Sequence, residues 1–324
     1  MTGKVESLQV PAGVSSFAAD VRAGLAAPGQ KTLPPKYLYD PMGSALFEAI
    51  TQLPEYGLWR AERRLLEAHA EEIARRTEAA SVIELGSGSA TKSVYLLKAL
   101  LRRQAVSYWT IDMSAAAVEM TRHALGGLHG LSVHSVESDY LAGLHVALRI
   151  RPADQPVLVM FLGSSLGNFD ALASARFLRR IRQALRPGDG LLLGADLEKP
   201  ESQLLAAYDD SLGVTAAFNL NLLARMNSEL GAGFAVPQFR HRARYNSARR
   251  DVEMHIESLC DQAVHFPDGF SVSFRTGETI HTESSHKYRL EELAGLAEDS
   301  GFGFTAQWLD AEAQFVSILC TAAP

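Results

Sequence analysis

Between residues 281 and 288 the chain reads HTESSHKY, gathering His281, Glu283, Ser284, Ser285 and His286 into one extended polar run. Such side chains suit a metal or proton-transfer site, or a pocket that recognises a polar ring. Glu283 with His286 lacks a third ligand at metal spacing, so no metal is assigned. A second stretch, IELGSGSATKS at 83–93, has a strand–turn–helix pattern. Gly86 and Gly88 let the backbone turn sharply at a strand end, where a ligand can approach main-chain N–H groups. Thr91 occupies the third position of a G-x-G-x-x-G dinucleotide fingerprint, so the turn alone does not separate a plain strand-to-helix corner from a ligand cradle. Asp112, closing the next strand in TIDMS, stands where a carboxylate accepts hydrogen bonds from ribose hydroxyls. Asp139-Tyr140, closing a third strand, is placed to reach an adenine amino group. Lys92 falls in the first helical turn, against the helix dipole. It is either a solvent-exposed lysine or the partner of a carboxylate ligand.

These residues need a frame. SVIELG (81–86), SYWTIDM (107–113), LSVHSVESD (131–139), VLVMFLG (157–163) and GLLLGADL (190–197) read as strands. Between them TKSVYLLKALLRR (91–103) places Val94, Leu97 and Leu101 on one helical face, and ALASARFLRRIRQALRPGDG carries Phe177, Ile181 and Leu185 at helical spacing before RPGDG stops it. Strands alternating with helices predict right-handed βαβ units and an α/β, doubly wound parallel sheet. The tail holds two apolar runs around the short turn DAEAQ, which reads as an antiparallel hairpin closing that sheet. Residues 1–57 read as irregular around Pro34-Pro35 and YLYDPMG. Residues 200–286 begin helical, around LLAAYDDSLGVTAAFNLNLLARMNSEL, and turn to alternating strand patterns. The expected division is therefore a Rossmann-like domain at 58–199 and 287–324, and a second, α+β substrate-binding domain at 1–57 and 200–286.

The 324 residues are 47% hydrophobic and 21% charged, as in ordinary globular proteins, and the net charge of −6 gives no electrostatic case for nucleic acid or anionic membrane. The opening MTGKVESLQVPAG has no apolar core of signal-peptide length, and no segment approaches a transmembrane run. Cys260 and Cys320 are too few for a metal cage or a disulfide framework. A cytoplasmic chain is expected, with no membrane or nucleic-acid partner.

The order Glu-x-Gly-x-Gly, then Asp, then Asp-aromatic resembles class I S-adenosylmethionine-dependent methyltransferases. Longer stretches resemble one family within that class: YLYDPMGSALFEAITQLPEY (37–56), MFLGSSLGNF (160–169), LLLGADLEK (191–199), AAYDDSLGVTAAFNLN (206–221), YNSARRDVEMHIES (245–258) and TESSHK (282–287). These are similar to the histidine-specific Nα-methyltransferases that form hercynine, the trimethylated histidine of ergothioneine biosynthesis. The resemblance implies S-adenosylmethionine contacts at Gly86, Lys92, Asp112, Asp139 and Tyr140. It implies carboxylate contacts to the amino-acid substrate at Asn168 and Tyr208. Tyr56, with Tyr39 nearby, would border the substrate amine as the catalytic pair, and Gly163 would offer a backbone carbonyl there. Glu283 and Ser285 would read the imidazole, with Met254 along the ring. The chain departs from the family in EYGLWRAE, where Gly57 and Trp59 stand at the second tyrosine and the threonine of a pattern E-Y-Y, one residue, Thr-Arg, and at Ser284, where a small apolar residue is frequent.

The resemblance implies in-line transfer of methyl groups from S-adenosylmethionine, without a metal, to the α-amine of L-histidine by a monomeric enzyme. Three other readings compete: an Nα-methyltransferase for another amino acid such as tryptophan, a non-catalytic amino-acid or S-adenosylmethionine sensor, and a nicotinamide oxidoreductase. Retained Glu283 and Met254 oppose the first, intact Tyr39 and Tyr56 the second, and the missing third glycine and terminal hairpin the third.

Overall fold

A computed structural model describes residues 5–9, 17–152 and 155–324, with only the backbone of 5–9 and 115–118. The chain opens with β1 (Val5–Gln9), α1 (Phe17–Leu25), β2 (Lys31–Thr32), α2 (Pro41–Thr51) and α3 (Gly57–Thr77). An alternating run follows: β3 (Ser81–Leu85), α4 (Ser93–Leu101), β4 (Val106–Asp112), α5 (Ala115–Leu125), β5 (Leu131–Glu137) and α6 (Tyr140–Ile150). It continues through β6 (Val157–Phe161), α7 (Ala171–Ala184) and β7 (Gly190–Asp196). Next come α8 (Glu201–Tyr208), α9 (Val214–Leu230), β8 (Phe239–Asn246), β9 (Asp251–Ser258), β10 (Gln262–His265), β11 (Ser271–Phe274) and β12 (Thr279–His286). The last elements are α10 (Leu290–Asp299), β13 (Phe302–Asp310) and β14 (Phe315–Ala322).

The described residues divide into two compact units, one of 5–9, 58–198 and 287–324, the other of 17–57 and 199–286. The first is built on an eight-stranded sheet ordered β1-β5-β4-β3-β6-β7-β14-β13. Strands β3 to β7 pair in parallel, and the terminal hairpin enters antiparallel through β14 on β7. The doubly wound sheet with its antiparallel end is therefore present. Strands β3, β6 and β7 are buried along their whole length, as expected where helices cover both faces. On one face α6, α7 and α10 pack Leu144, Phe177, Ile181 and Leu293 against Ile83, Ile111, Val159 and Ile318. The order reverses at β3, so the loops after β3 and β6 diverge there and open the crevice in which doubly wound sheets bind ligands.

Two segments of this unit lie side by side where the chain leaves β7 and where it returns. Tyr288 donates its N–H to the Asp196 carbonyl (3.0 Å) and Glu198 donates to the Tyr288 carbonyl (3.0 Å). Lys287 and Asp196 form a buried ion pair at 3.0 Å beside them.

The second unit carries the sheet β2-β12-β9-β8 and the hairpin β10-β11, with α9 in contact with β8, β9 and α2.

Four sequence expectations change. Residues 1–57 are not irregular: α1, a 3-10 turn at Pro35–Leu38 and α2 occupy much of their described part. Asp40 caps α2 by accepting the Gly43 N–H at 2.7 Å. Nor does all of 1–57 join the second unit, because β1 pairs in parallel with β5 of the large sheet. The helical run around 204–230 is two helices, broken where the Asp210 carboxylate accepts the N–H groups of Val214 and Thr215. In α4 the buried stripe is Leu96, Leu97 and Leu100, while Val94 and Leu101 are half-exposed. Among the described residues no helix is long and apolar enough to cross a membrane.

Candidate functional site

In the first unit the turn after β3 is left-handed at Gly86 (φ +72°) and Gly88 (φ +52°). A Cβ on Gly86 would stand 3.2 Å from the Tyr140 hydroxyl, so the tyrosine ring lies directly against the turn. Beside Gly88 a Cβ would meet open space. The Gly88 N–H donates to Asp112 Oδ2 (3.1 Å) and the Ser114 N–H to Asp112 Oδ1 (2.9 Å). Burial pushes the Asp112 carboxyl up, and these N–H groups oppose the shift. Gly86, Asp112 and Tyr140 are thus brought together. Asp139 is exposed and caps α6, with Oδ1 accepting from Leu141 (3.1 Å) and Ala142 (2.9 Å). Tyr140 packs edge-on to Phe161 at 5.3 Å between ring centres.

Lys92 is turned away from bulk solvent and paired with Glu62 of α3. Glu62 is completely buried and also accepts the Gly163 N–H, at 3.0 and 2.9 Å to its two oxygens. Sequence reasoning missed Glu62. It sits among charges in RAERRLLEAHAEE, where one more glutamate reads as a solvated helix face. The available signal was Gly194 inside the all-buried β7, since a Cβ there would come within 1.8 Å of Glu62 Oε1. Gly163 (φ +74°) and Ser164 (φ +59°) are consecutive left-handed residues in the loop after β6. Asn168 ends the 3-10 turn Ser165–Asn168 of the same loop and is partly exposed.

An open left-handed turn, a strand-end carboxylate bonded to it, an aromatic ring on the glycine and a lysine nearby all lie at the switch point. This set fits a nucleoside ligand with an amino-acid tail.

The second unit gathers the remaining expected residues. Glu283 on β12 stands opposite Met254 on β9, and Ser285 opposite Val252. A register shift between His281 and Glu283 separates Glu283 from the preceding ladder. Tyr208 donates its hydroxyl to Ser285 Oγ at 2.8 Å, so residues expected at opposite ends of the substrate share a hydrogen bond. Tyr56 and Tyr208 rings lie 6.2 Å apart, and Tyr56, Phe47 and Tyr39 continue an edge-to-face series at 6.2 and 5.5 Å. Tyr56, Tyr208, Met254, Glu283 and Ser285 are all buried. His286, weighed with Glu283 as a metal pair, bonds Asp251 at 2.9 Å instead.

A support layer behind this cluster was also missed. Thr282, at the register shift, donates to Asn219 Oδ1 (2.7 Å), while the Asn219 amide donates to the His255 carbonyl (3.0 Å) and to His241 Nδ1 (2.9 Å). The other nitrogen of His241 then donates to the Tyr208 carbonyl (2.8 Å). Burial holds His241 below the usual histidine range, consistent with this neutral ring.

Comparison with known proteins adds a family. Residues 17–322 match the family described as "Histidine-specific methyltransferase, SAM-dependent". The chain is 39% identical to the histidine N-alpha-methyltransferase of Mycolicibacterium smegmatis, covering 91% of this chain and 92% of that protein. It is 38% identical to the enzyme of that name from Mycobacterium tuberculosis, covering 94% of each. It is 30% identical to ergothioneine biosynthesis protein 1 of Neurospora crassa, of which it spans 32%.

Proposed function

This chain belongs to the histidine-specific, S-adenosylmethionine-dependent methyltransferases, and we propose that its two clusters divide the reaction into a donor set and an acceptor set. The activity is Nα-methylation of L-histidine to hercynine, the chemistry of ergothioneine biosynthesis.

The unit containing the glycine turn binds the donor. Lys92 would hold the amino-acid carboxylate, the turn at Gly86 and Gly88 the methionine portion, Asp112 the ribose hydroxyls, and Asp139 with Tyr140 the adenine. Bound S-adenosylmethionine supplies a methyl carbon that carries its own sulfide leaving group. The protein's task is therefore alignment, which can account for most of the rate enhancement in a displacement of this kind. The unit containing β9 and β12 binds histidine. Glu283 accepts one ring N–H. Ser285 accepts the Tyr208 proton and offers its own to the other ring nitrogen, so the pair suits a neutral imidazole. Met254 lies along the ring.

The α-amine must shed a proton before it has a lone pair to donate. The amine-facing roles proposed for Tyr39 and Tyr56 in one unit, and for the Gly163 carbonyl in the other, need no dedicated strong base. Transfer ends when the nitrogen is quaternary. No step needs a metal or a second copy of the chain, and we propose a monomer.

The observation that carries this reading is the joining of Tyr208, Ser285, Glu283 and Met254 in one buried cluster of the second unit. Mass spectrometry of histidine incubated with the protein and excess S-adenosylmethionine should show the trimethylated product, with rates rising toward alkaline pH. Monomethyl histidine persisting at long times would contradict it and direct attention to Gly57 and Trp59. Methylation of tryptophan in preference to histidine would overturn the substrate assignment.

A further inference from the structure

We propose that Glu62 is a positioning residue for methyl transfer, acting through Lys92 and the Gly163 peptide; this rests on the roles assigned above to those two groups. A fully buried carboxylate is costly unless it is paired and hydrogen-bonded. Glu62 meets that condition in a directed way: Lys92 pairs with it and the Gly163 N–H donates to it. From behind, Gly194 of β7 leaves only enough space for the carboxylate, because a Cβ at that position would lie 1.8 Å from Oε1. The group is enclosed on the side of the sheet and bonded on the side of the loops.

Those bonds reach the two loops that flank the switch point. Lys92 closes the turn after β3. Gly163 opens the loop after β6, where Ser164 adopts a left-handed conformation that a residue with a side chain disfavours. The Leu162–Gly163 peptide is fixed from both ends, by Glu62 at the N–H and by the Ser165 hydroxyl on the Leu162 carbonyl (2.9 Å). One carboxylate thus sets the cation that faces the donor's amino-acid tail and the peptide next to the carbonyl that faces the amine. A carboxylate serving only to anchor α3 would have no reason to engage both loops.

The test is a double-mutant cycle read by calorimetric S-adenosylmethionine binding and by kcat. Glu62→Gln keeps the side-chain shape and an acceptor for Gly163 but removes the charge that holds Lys92. It should weaken S-adenosylmethionine binding about tenfold or more and lower kcat, as loss of a charge-assisted contact does. Lys92→Met should weaken binding on its own. Adding Glu62→Gln to it should change affinity by less than about twofold, because coupled residues are not additive. Additive losses would overturn the proposal, as would Glu62→Gln protein that binds within about twofold of wild type or more tightly. Gly194→Ala supplies an independent route, displacing Glu62 without changing any polar group. If Glu62→Gln does not fold, a folded Gly194→Ala protein with wild-type affinity overturns the proposal equally. Wild-type protein that binds no S-adenosylmethionine would instead refute the functional reading on which the proposal rests.

Discussion

Glu283 is a buried carboxylate on β12, paired across the sheet with Met254. Its carboxylate is proposed to accept a ring N–H, and a substrate without one forgoes that bond. Sites of this type reject such analogues by roughly 10⁴–10⁵-fold, and phenylalanine and leucine should go unmethylated. Glu283→Ala should lower kcat/KM for histidine on the order of 10- to 100-fold while raising relative tolerance for apolar and indole side chains. Its S-adenosylmethionine affinity should stay within about twofold of wild type, as expected for residues sharing no partners. Retained wild-type kcat/KM for histidine would remove Glu283 from the site. This residue was legible because TESSHK carries a family pattern. Glu62 and Asn219 were not, because their importance lies in what packs against them. A glycine on a distant strand and a bulge on another sheet supply that context.

Strand β3 shows how an element can be fully legible and still conceal a titration. Its β-branched run and its glycine turn identify it in the sequence, yet Glu84 points into the protein and accepts from the Ser93 and Tyr108 hydroxyls. Burial raises its pKa from 4.5 to about 7, with the two hydroxyls opposing the shift. Between those values the folded protein keeps a proton that the unfolded chain has lost, so stability falls as pH rises through this window and levels off above about 7. The contribution is on the order of 3 kcal/mol. Thermal unfolding of wild type and Glu84→Gln from pH 5 to 8 should show that falling component only in wild type. Identical profiles would refute it. Elements with local signatures were the readable ones. The terminal hairpin announces itself because DAEAQ is too short for a crossover helix. The N-terminal elements do not: β1 finds its partner in β5, well over a hundred residues away, and Pro34-Pro35 suggests irregularity where helices flank it.

Across the whole molecule a second titration runs the other way. His241, His255 and His281 of the second unit are held below the ordinary value of 6.5, chiefly by burial. The unfolded chain binds their protons first, so this contribution to stability is lost as pH falls below about 6.5. In Glu84→Gln protein, where the falling component of Glu84 is gone, stability should therefore rise from pH 5 to pH 7; a flat or falling profile would contradict it. A two-part division was expected because residues 200–286, helical at first and then alternating, do not continue the strand–helix order of the large sheet. The exit and return of the chain at that boundary also bear on descent. Because residues 196–198 and 287–289 are hydrogen-bonded neighbours within a single unit, the sheet imposes no length on whatever is spliced between them. A lineage could exchange that cassette for another and keep its methyl-donor machinery intact. New acceptors would then arise at one seam wherever the new cassette still matched β2 and α2 of residues 17–57.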